Sequence, residues 1–202
     1  YFWDYADPIS GLAREASNRP EIITIGGSGF GIAAFTVAVE RGWISREQAI
    51  DRMEIVLSFL EAAEKYHGAF SHWYNNSGNT IEFSPLDDGA DIVETALLMQ
   101  GLLIARQYFS QNNETEFDIR ERITELWEGV EWSWFTQGQN KITWHWSPNY
   151  NFDKNLNVTG WNESLIVYIL AASSPTFPIT SDVYTDGWTR NGTIVNTGTF
   201  YD

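Results

Sequence analysis

The chain has no cysteine among its 202 residues, which excludes disulfides, thiolate catalysis and cysteine-ligated metals. The compartment stays open, because many secreted bacterial proteins also lack cysteine. Cations are scarce as well: 12 Lys and Arg against 27 Asp and Glu leave a net charge of −15. That balance argues against nucleic acid or an anionic membrane surface as partner and suits an uncharged one. Charged residues make up only 19%, so the chain reads neither as a disordered tail nor as a coiled coil. Its most apolar run, 92–105, is interrupted by Glu94, Gln100 and Gly101 and falls short of the ~20 residues of a membrane span. No basic-then-apolar leader precedes Tyr1, so a signal peptide is expected to be absent or already removed.

What is present is apolar and aromatic. A hydrophobic content of 43%, with ten Trp, nine Tyr and twelve Phe, is enough for a substantial core in one domain, 1–202. Helical periodicity runs through most of the chain from about residue 28. Helices are expected at 29–41, 45–66, 89–109, 116–135 and 161–173, with a short sixth at 180–188. The second opens with a capping box, Ser45 and Gln48. The first, third and fifth are apolar almost all round, whereas the second and fourth are amphipathic. A helix apolar on every face must be surrounded, so the alternation points to an inner and an outer layer. Long loops, 68–88 and 136–160, lead from outer to inner helices and should gather at one end. This is the pattern of an all-α toroid of helical hairpins, with an α-solenoid as the plainer alternative. About three hairpins are visible where a closed ring of six, at ~1.5 Å rise per residue, needs roughly twice the chain. The tail 191–202 reads as a strand or loop, and the chain as a fragment or one half of an assembly.

Two of the loop-to-helix junctions carry acids. In Asp87-Asp88-Gly89-Ala90-Asp91, residues four apart fall on one helical face, so Asp87 and Asp91 should point together at the loop-rich end. Capping by Asp88, with Asp91 inside the first turn, explains part of this cluster but hardly all of it. Glu163 is expected in the first turn of the fifth helix, where Leu165, Ile166, Val167 and Ile169 would desolvate its carboxyl and keep it protonated, as a general acid requires. It could equally be a dipole partner. Trp73, Trp144, Trp146, Tyr150 and Trp161 stand in the same loops with His72, His145 and Asn162. Indole faces stack on pyranose C–H surfaces while carboxylates bond hydroxyls and move protons, so the set describes a sugar-binding, sugar-cleaving cleft.

Two further motifs carry less. His67, His72 and His145 match no metal-ligand spacing, so no metal and no cofactor is expected. Gly26-Gly27-Ser28-Gly29-Phe30-Gly31 lacks nucleotide-binding spacing and is not a nucleophile elbow. Close backbone approach at a crowded helix start accounts for its glycines, whose amides could donate to a substrate hydroxyl.

Several ordered motifs together resemble the bacterial glucoamylase-like family of glycoside hydrolases. They are Phe2-Trp3-Asp4-Tyr5, Gly11-Leu12-Ala13-Arg14-Glu15, the glycine-rich run around Phe30, His67-Gly68-Ala69-Phe70, Asp87 to Thr95, Trp144-His145-Trp146-Ser147-Pro148 and Trp161-Asn162-Glu163-Ser164. The resemblance implies an (α/α)6 toroid, of which this chain covers roughly the N-terminal half, in a secreted or periplasmic enzyme. Characterised relatives include endo-β-1,2-glucanases that work with inversion. It carries Asp87, Asp91 and Glu163 over as the acidic cleft residues, Glu163 being the general acid. The expected substrate contacts are Arg14, Phe30, His72, Trp73, Trp144, His145, Trp146, Tyr150, Trp161 and Asn162. Trp161 and Ser164 stand where relatives often have Tyr and Cys. A further catalytic Asp, the general base, is expected downstream of Asp202, in the half of the toroid that would be this chain's partner. A non-catalytic glucan-binding module and a polysaccharide lyase are the rival readings. Lyases act on anionic polymers and usually want cations near the cleft.

Overall fold

The computed structural model describes residues 1–193; of the expected tail, 194–202 lie outside the described residues. Five α-helices form: α1 (Ile25–Glu40), α2 (Arg46–Ala62), α3 (Ile92–Tyr108), α4 (Glu114–Glu128) and α5 (Leu165–Ser173). A 3-10 helix follows α4 at Trp132–Thr136, and a π-helical turn at Val183–Trp188 takes the place of the sixth helix. The two layers are there. α1 packs chiefly on α3 and α3 on α5, while α2 packs on α4. The outer pair buries one stripe each, Ala49, Met53, Val56, Leu57 and Leu60 on α2 and Ile119, Ile123 and Trp127 on α4.

The fold is not purely helical, and each departure has a local cause. Eight short strands occupy the N-terminal segment and the loops: β1 (Arg14–Ala16), β2 (Arg19–Thr24), β3 (Lys65–Tyr66), β4 (Ala69–Phe70), β5 (Trp73–Tyr74), β6 (Thr80–Ile81), β7 (Ala90–Asp91) and β8 (His145–Trp146). They form an antiparallel sheet in the order β1-β2-β5-β6 and two separate pairs, β3-β4 and β7-β8. The capping box of α2 is present, Ser45 and Gln48 exchanging hydrogen bonds of 2.8 and 3.1 Å. The helix ends at Ala62 rather than 66 because Lys65 Nζ turns back onto the carbonyls of Leu60, Glu61 and Ala63 at 2.7–3.0 Å. Its ammonium thereby satisfies C-terminal acceptors that would otherwise be orphaned. His67 and Gly68, both at positive φ, then make the two-residue hairpin turn between β3 and β4. The whole glycine-rich run is helical, α1 beginning at Ile25 rather than 29, straight out of β2.

α1 and α3 touch backbone to backbone. A Cβ at Gly101 would run into the Gly29 carbonyl, and one at Gly29 into the Leu97 carbonyl. Neither obstacle is a side chain that can swing away. Gly101→Ala should therefore destabilise the protein by about 1–3 kcal/mol through overpacking, despite alanine's higher helix propensity. Urea unfolding of the variant beside wild type checks this, and an unchanged or raised midpoint would contradict it.

Candidate active site

The two long loops meet through the shortest possible ladder. In β7-β8, Ala90 pairs with Trp146 and Asp91 with His145, so the chain just before α3 is fastened to the loop before α5. Asp91 is fully buried and is itself the N-cap of α3, its Oδ1 accepting the N–H groups of Val93 and Glu94 at 2.9 Å. The same oxygen accepts the Trp144 indole N–H at 2.8 Å, and Oδ2 accepts His72 Nδ1 at 3.1 Å. One carboxylate thus joins α3, the β5 segment and the β8 loop.

Asp87 is also buried, but it sits in a turn and α3 starts only at Ile92. The expectation that Asp87 and Asp91 share a helical face, with Asp88 as cap, is therefore corrected: neither lies within the helix, and the cap is Asp91. Asp87 faces Lys154 Nζ at 3.0 Å and His145 Nε2 at 3.0 Å. The histidine approach is close without being aligned as a hydrogen bond. Burial alone would raise the Asp87 pKa, yet the contacts to His145 and then Lys154 hold it below the ordinary carboxylate value.

A cavity of about 360 Å³ opens beside this cluster, lined by His72, Phe83, Val93, Glu94, Trp144, Asn157, Val158, Asn162, Glu163 and Ser164. Two cavities of about 440 and 490 Å³ lie elsewhere, but each is lined by a single carboxylate and no histidine. The 360 Å³ cavity is the one that gathers a histidine and two carboxylates, His72, Glu94 and Glu163. Glu163 is at its rim, in an exposed turn ahead of α5. The apolar surround expected for it is absent: residues 161–163 are exposed, and α5 with its buried Val167, Tyr168, Leu170 and Ala171 begins only at Leu165. The desolvated acid is Glu94 instead, which the sequence reading did not single out as a site residue. Its Oε2 accepts the Gly26 N–H at 2.7 Å. Burial foremost, then the charge of Asp91, pushes the Glu94 pKa up against the opposing pull of His72 and Gly26. The available signal was its place three residues after the cap, in the first turn of a helix that must be covered.

The other expected contacts divide. His72, Trp144 and Asn162 line the cavity. Trp73 stands behind it, edge-on to Phe83 and His72, its indole bonded to Glu15 at 3.1 Å. His145 is buried beneath with Asp87. Trp146 packs instead with Tyr66, His67 and Trp134. Arg14 lies half-buried in β1, and Phe30 faces a shallow groove between α1 and α3. Tyr150 and Trp161 are exposed, Trp161 at 82%. None of these last five lines the cavity. Among the described residues, no three His, Asp or Glu side chains converge as metal ligands do.

Known proteins share this fold. The structure superposes on an endo-β-1,2-glucanase from Chitinophaga pinensis with a TM-score of 0.96 and 48% identity, over all of this chain and 50% of that one. The chain is thus similar to glucan hydrolases of the bacterial glucoamylase-like type. The glycoamylase family model matches at residues 155–201. A β-1,2-glucanase from Parabacteroides distasonis superposes with a TM-score of 0.91 and 46% identity, over 94% of this chain and 28% of that one. A curated relative from the same species, an exo β-1,2-glucooligosaccharide sophorohydrolase acting at the non-reducing end, is 47% identical over 93% of this chain and 27% of its own length. The chain thus spans between about a quarter and a half of the length of these relatives. Among its described residues, no helix is long and apolar enough to cross a membrane.

Glu94 gives a pH-dependent test of the site's energetics. A carboxyl whose folded pKa is raised holds its proton more tightly in the native state, so ionising it lowers stability as pH rises. Below the unfolded value near 4.5 the effect vanishes. Glu94→Gln keeps an acceptor for Gly26 without the charge. It should therefore match wild type at pH 4 and become progressively more stable than it above that, as measured by denaturant midpoints from pH 4 to 8. A constant difference across that range would contradict the assignment.

Proposed function

We propose that this chain supplies half of the cleft of a glycoside hydrolase acting on β-1,2-glucan, an inverting endo-glucanase of the (α/α)6 toroid type. The observation that carries the reading is the coincidence of a largely buried Glu94, a rim Glu163 and an indole face, Trp144, in one cavity. It sits in a chain 46–48% identical to two β-1,2-glucanases. Glu163 is the proton donor to the glycosidic oxygen, free to reach it directly or through a substrate hydroxyl. Glu94 holds a sugar hydroxyl or the water, and the buried Asp87 and Asp91 fix the two loops that frame them. The general base comes from the part of the protein beyond this chain, far enough away for a water to stand between, roughly 6.5–9.5 Å from the acid in inverting enzymes. A lyase is disfavoured because no Lys or Arg lines the cavity among the described residues.

The toroid is supported by two layers of helices and by what the inner layer leaves uncovered. Phe30 and Val37 on α1, Ile104 on α3 and Ile169 on α5 are 41–56% exposed, although their helices are the most apolar of the chain. The second half of a ring would cover them. A secreted or periplasmic location is carried from the family resemblance alone.

In the intact protein, Glu163→Gln and Glu94→Gln should each lower turnover of β-1,2-glucan by about 10²–10⁴-fold, the usual worth of a positioned acid or base. Reducing-end release from β-1,2-glucan, with starch as control, reads this out. Near-normal turnover in Glu163→Gln would remove it as the acid. No product from the wild-type protein would leave a glucan-binding module as the better reading.

A further inference from the structure

His72 is held more tightly than a sugar contact needs to be. Its Nδ1 donates to Asp91 Oδ2 at 3.1 Å, its ring lies flat on Phe83 at 3.8 Å between centroids, and Trp73 meets it edge-on at 5.7 Å. Two stacked or abutting rings and one hydrogen bond fix the imidazole plane. They aim Nε2 past α3 toward Glu94 Oε1, 3.9 Å away. Glu94 cannot rotate off, because its other oxygen is tied to the Gly26 N–H at 2.7 Å. We propose that His72 is a positioning residue whose charge, fixed in place by Asp91, sets the proton occupancy of Glu94 and with it the pH window of the cleft.

The charges around the ring favour this. Asp91 and Glu94 face it from the start of α3, and Asp87 from the turn ahead of β7. Glu15 on β1 acts on the Glu94 side and holds the Trp73 indole behind the ring. Glu163 lines the same cavity. Close by, the Lys154 ammonium and the His145 ring are engaged with Asp87. Burial works to lower the His72 pKa, but the bond and charge of Asp91, then Glu94 and Asp87, raise it overall. A charged His72 in turn pulls the Glu94 proton off, opposing the burial of that carboxyl. The proton balance is simple: nothing is consumed, and the pair exchanges protons with solvent through the open cavity.

The inference rests on Glu94 acting in the cleft, but its test does not depend on turnover. His72→Gln keeps a donor for Asp91 and removes the charge. In the full-length protein with ¹³C-carboxyl glutamate, and the Glu94 resonance identified by its loss in Glu94→Gln, the Glu94 titration should move upward in His72→Gln. The limb of the kcat/KM profile on β-1,2-glucan should move with it, and turnover at the wild-type optimum should fall by roughly 10²-fold, the scale of a misplaced reacting group. An unmoved Glu94 titration would overturn the proposal, whatever happens to the rate. If His72→Gln does not fold, His72→Asn, which also removes the charge and keeps an amide donor, should shift the same titration in the same direction. No shift there overturns it equally. A wild-type protein that does not hydrolyse β-1,2-glucan would defeat the hydrolase reading and leave the carboxyl titration to decide this one.

Discussion

Everything at the loop-rich end depends on one carboxylate. Asp91 ends a two-residue strand, caps a seventeen-residue helix and bonds an indole and an imidazole from two other segments. Three N–H donors converge on its Oδ1, and losing that carboxylate would strand the part-buried Trp144 donor and open the start of α3. An N-cap is worth about 1 kcal/mol and an orphaned buried donor about 1–3 more. Charge-assisted bonds of this kind are directional, so they position as well as stabilise. That is how two long loops, which by themselves would be mobile, deliver His72, Trp144 and Glu94 to one cavity.

The scaffold behind it works by exclusion of side chains. Gly29 and Gly101 bring α1 and α3 to backbone contact, and α3 is buried along Leu98, Met99, Leu102 and Ala105. Each large apolar side chain there contributes about 1.5–3 kcal/mol by burial. Rigid inner helices fix where their N-terminal ends lie, and the end of α3 carries Asp91 and Glu94. Outside, α2 and α4 are held by their apolar stripes and by a nearly buried pair, Arg46 and Glu116, at 2.8 Å. Glu116 looks like a surface acid in an amphipathic pattern. The Arg46 guanidinium, which also holds its pKa below the usual range, is what takes it inside.

Much of this was legible in the sequence, for reasons that can be named. Helix periodicity gave the five helices and their layering, because burial on one face or on all faces leaves a repeat that needs only local composition. The capping box at Ser45 was readable for the same reason. The strands were not, since a two-residue ladder such as Ala90–Asp91 with His145–Trp146 has no period to detect. Nor were the exact helix starts, which shifted Asp87 and Asp91 off a shared helical face and onto separate turns. Glu163 was expected to be buried because its neighbours in sequence are apolar, but the turn before α5 holds it out of that core. Glu94 was passed over because a first-turn acid is ordinary. Its distinction comes from Gly26 and His72, which are far away in sequence. Burial of a charged group is a tertiary fact, and here it decides the chemistry.

The central claim is that the cavity framed by His72, Glu94, Trp144 and Glu163 is where β-1,2-glucan binds. Its most direct test is a crystal structure of the intact Glu163→Gln protein soaked with a β-1,2-linked glucooligosaccharide. The account predicts a sugar ring against the Trp144 indole, with a glycosidic oxygen within hydrogen-bond reach of residue 163 and a hydroxyl on Glu94. Sugar bound elsewhere on the protein, with that cavity filled only by water, would contradict it.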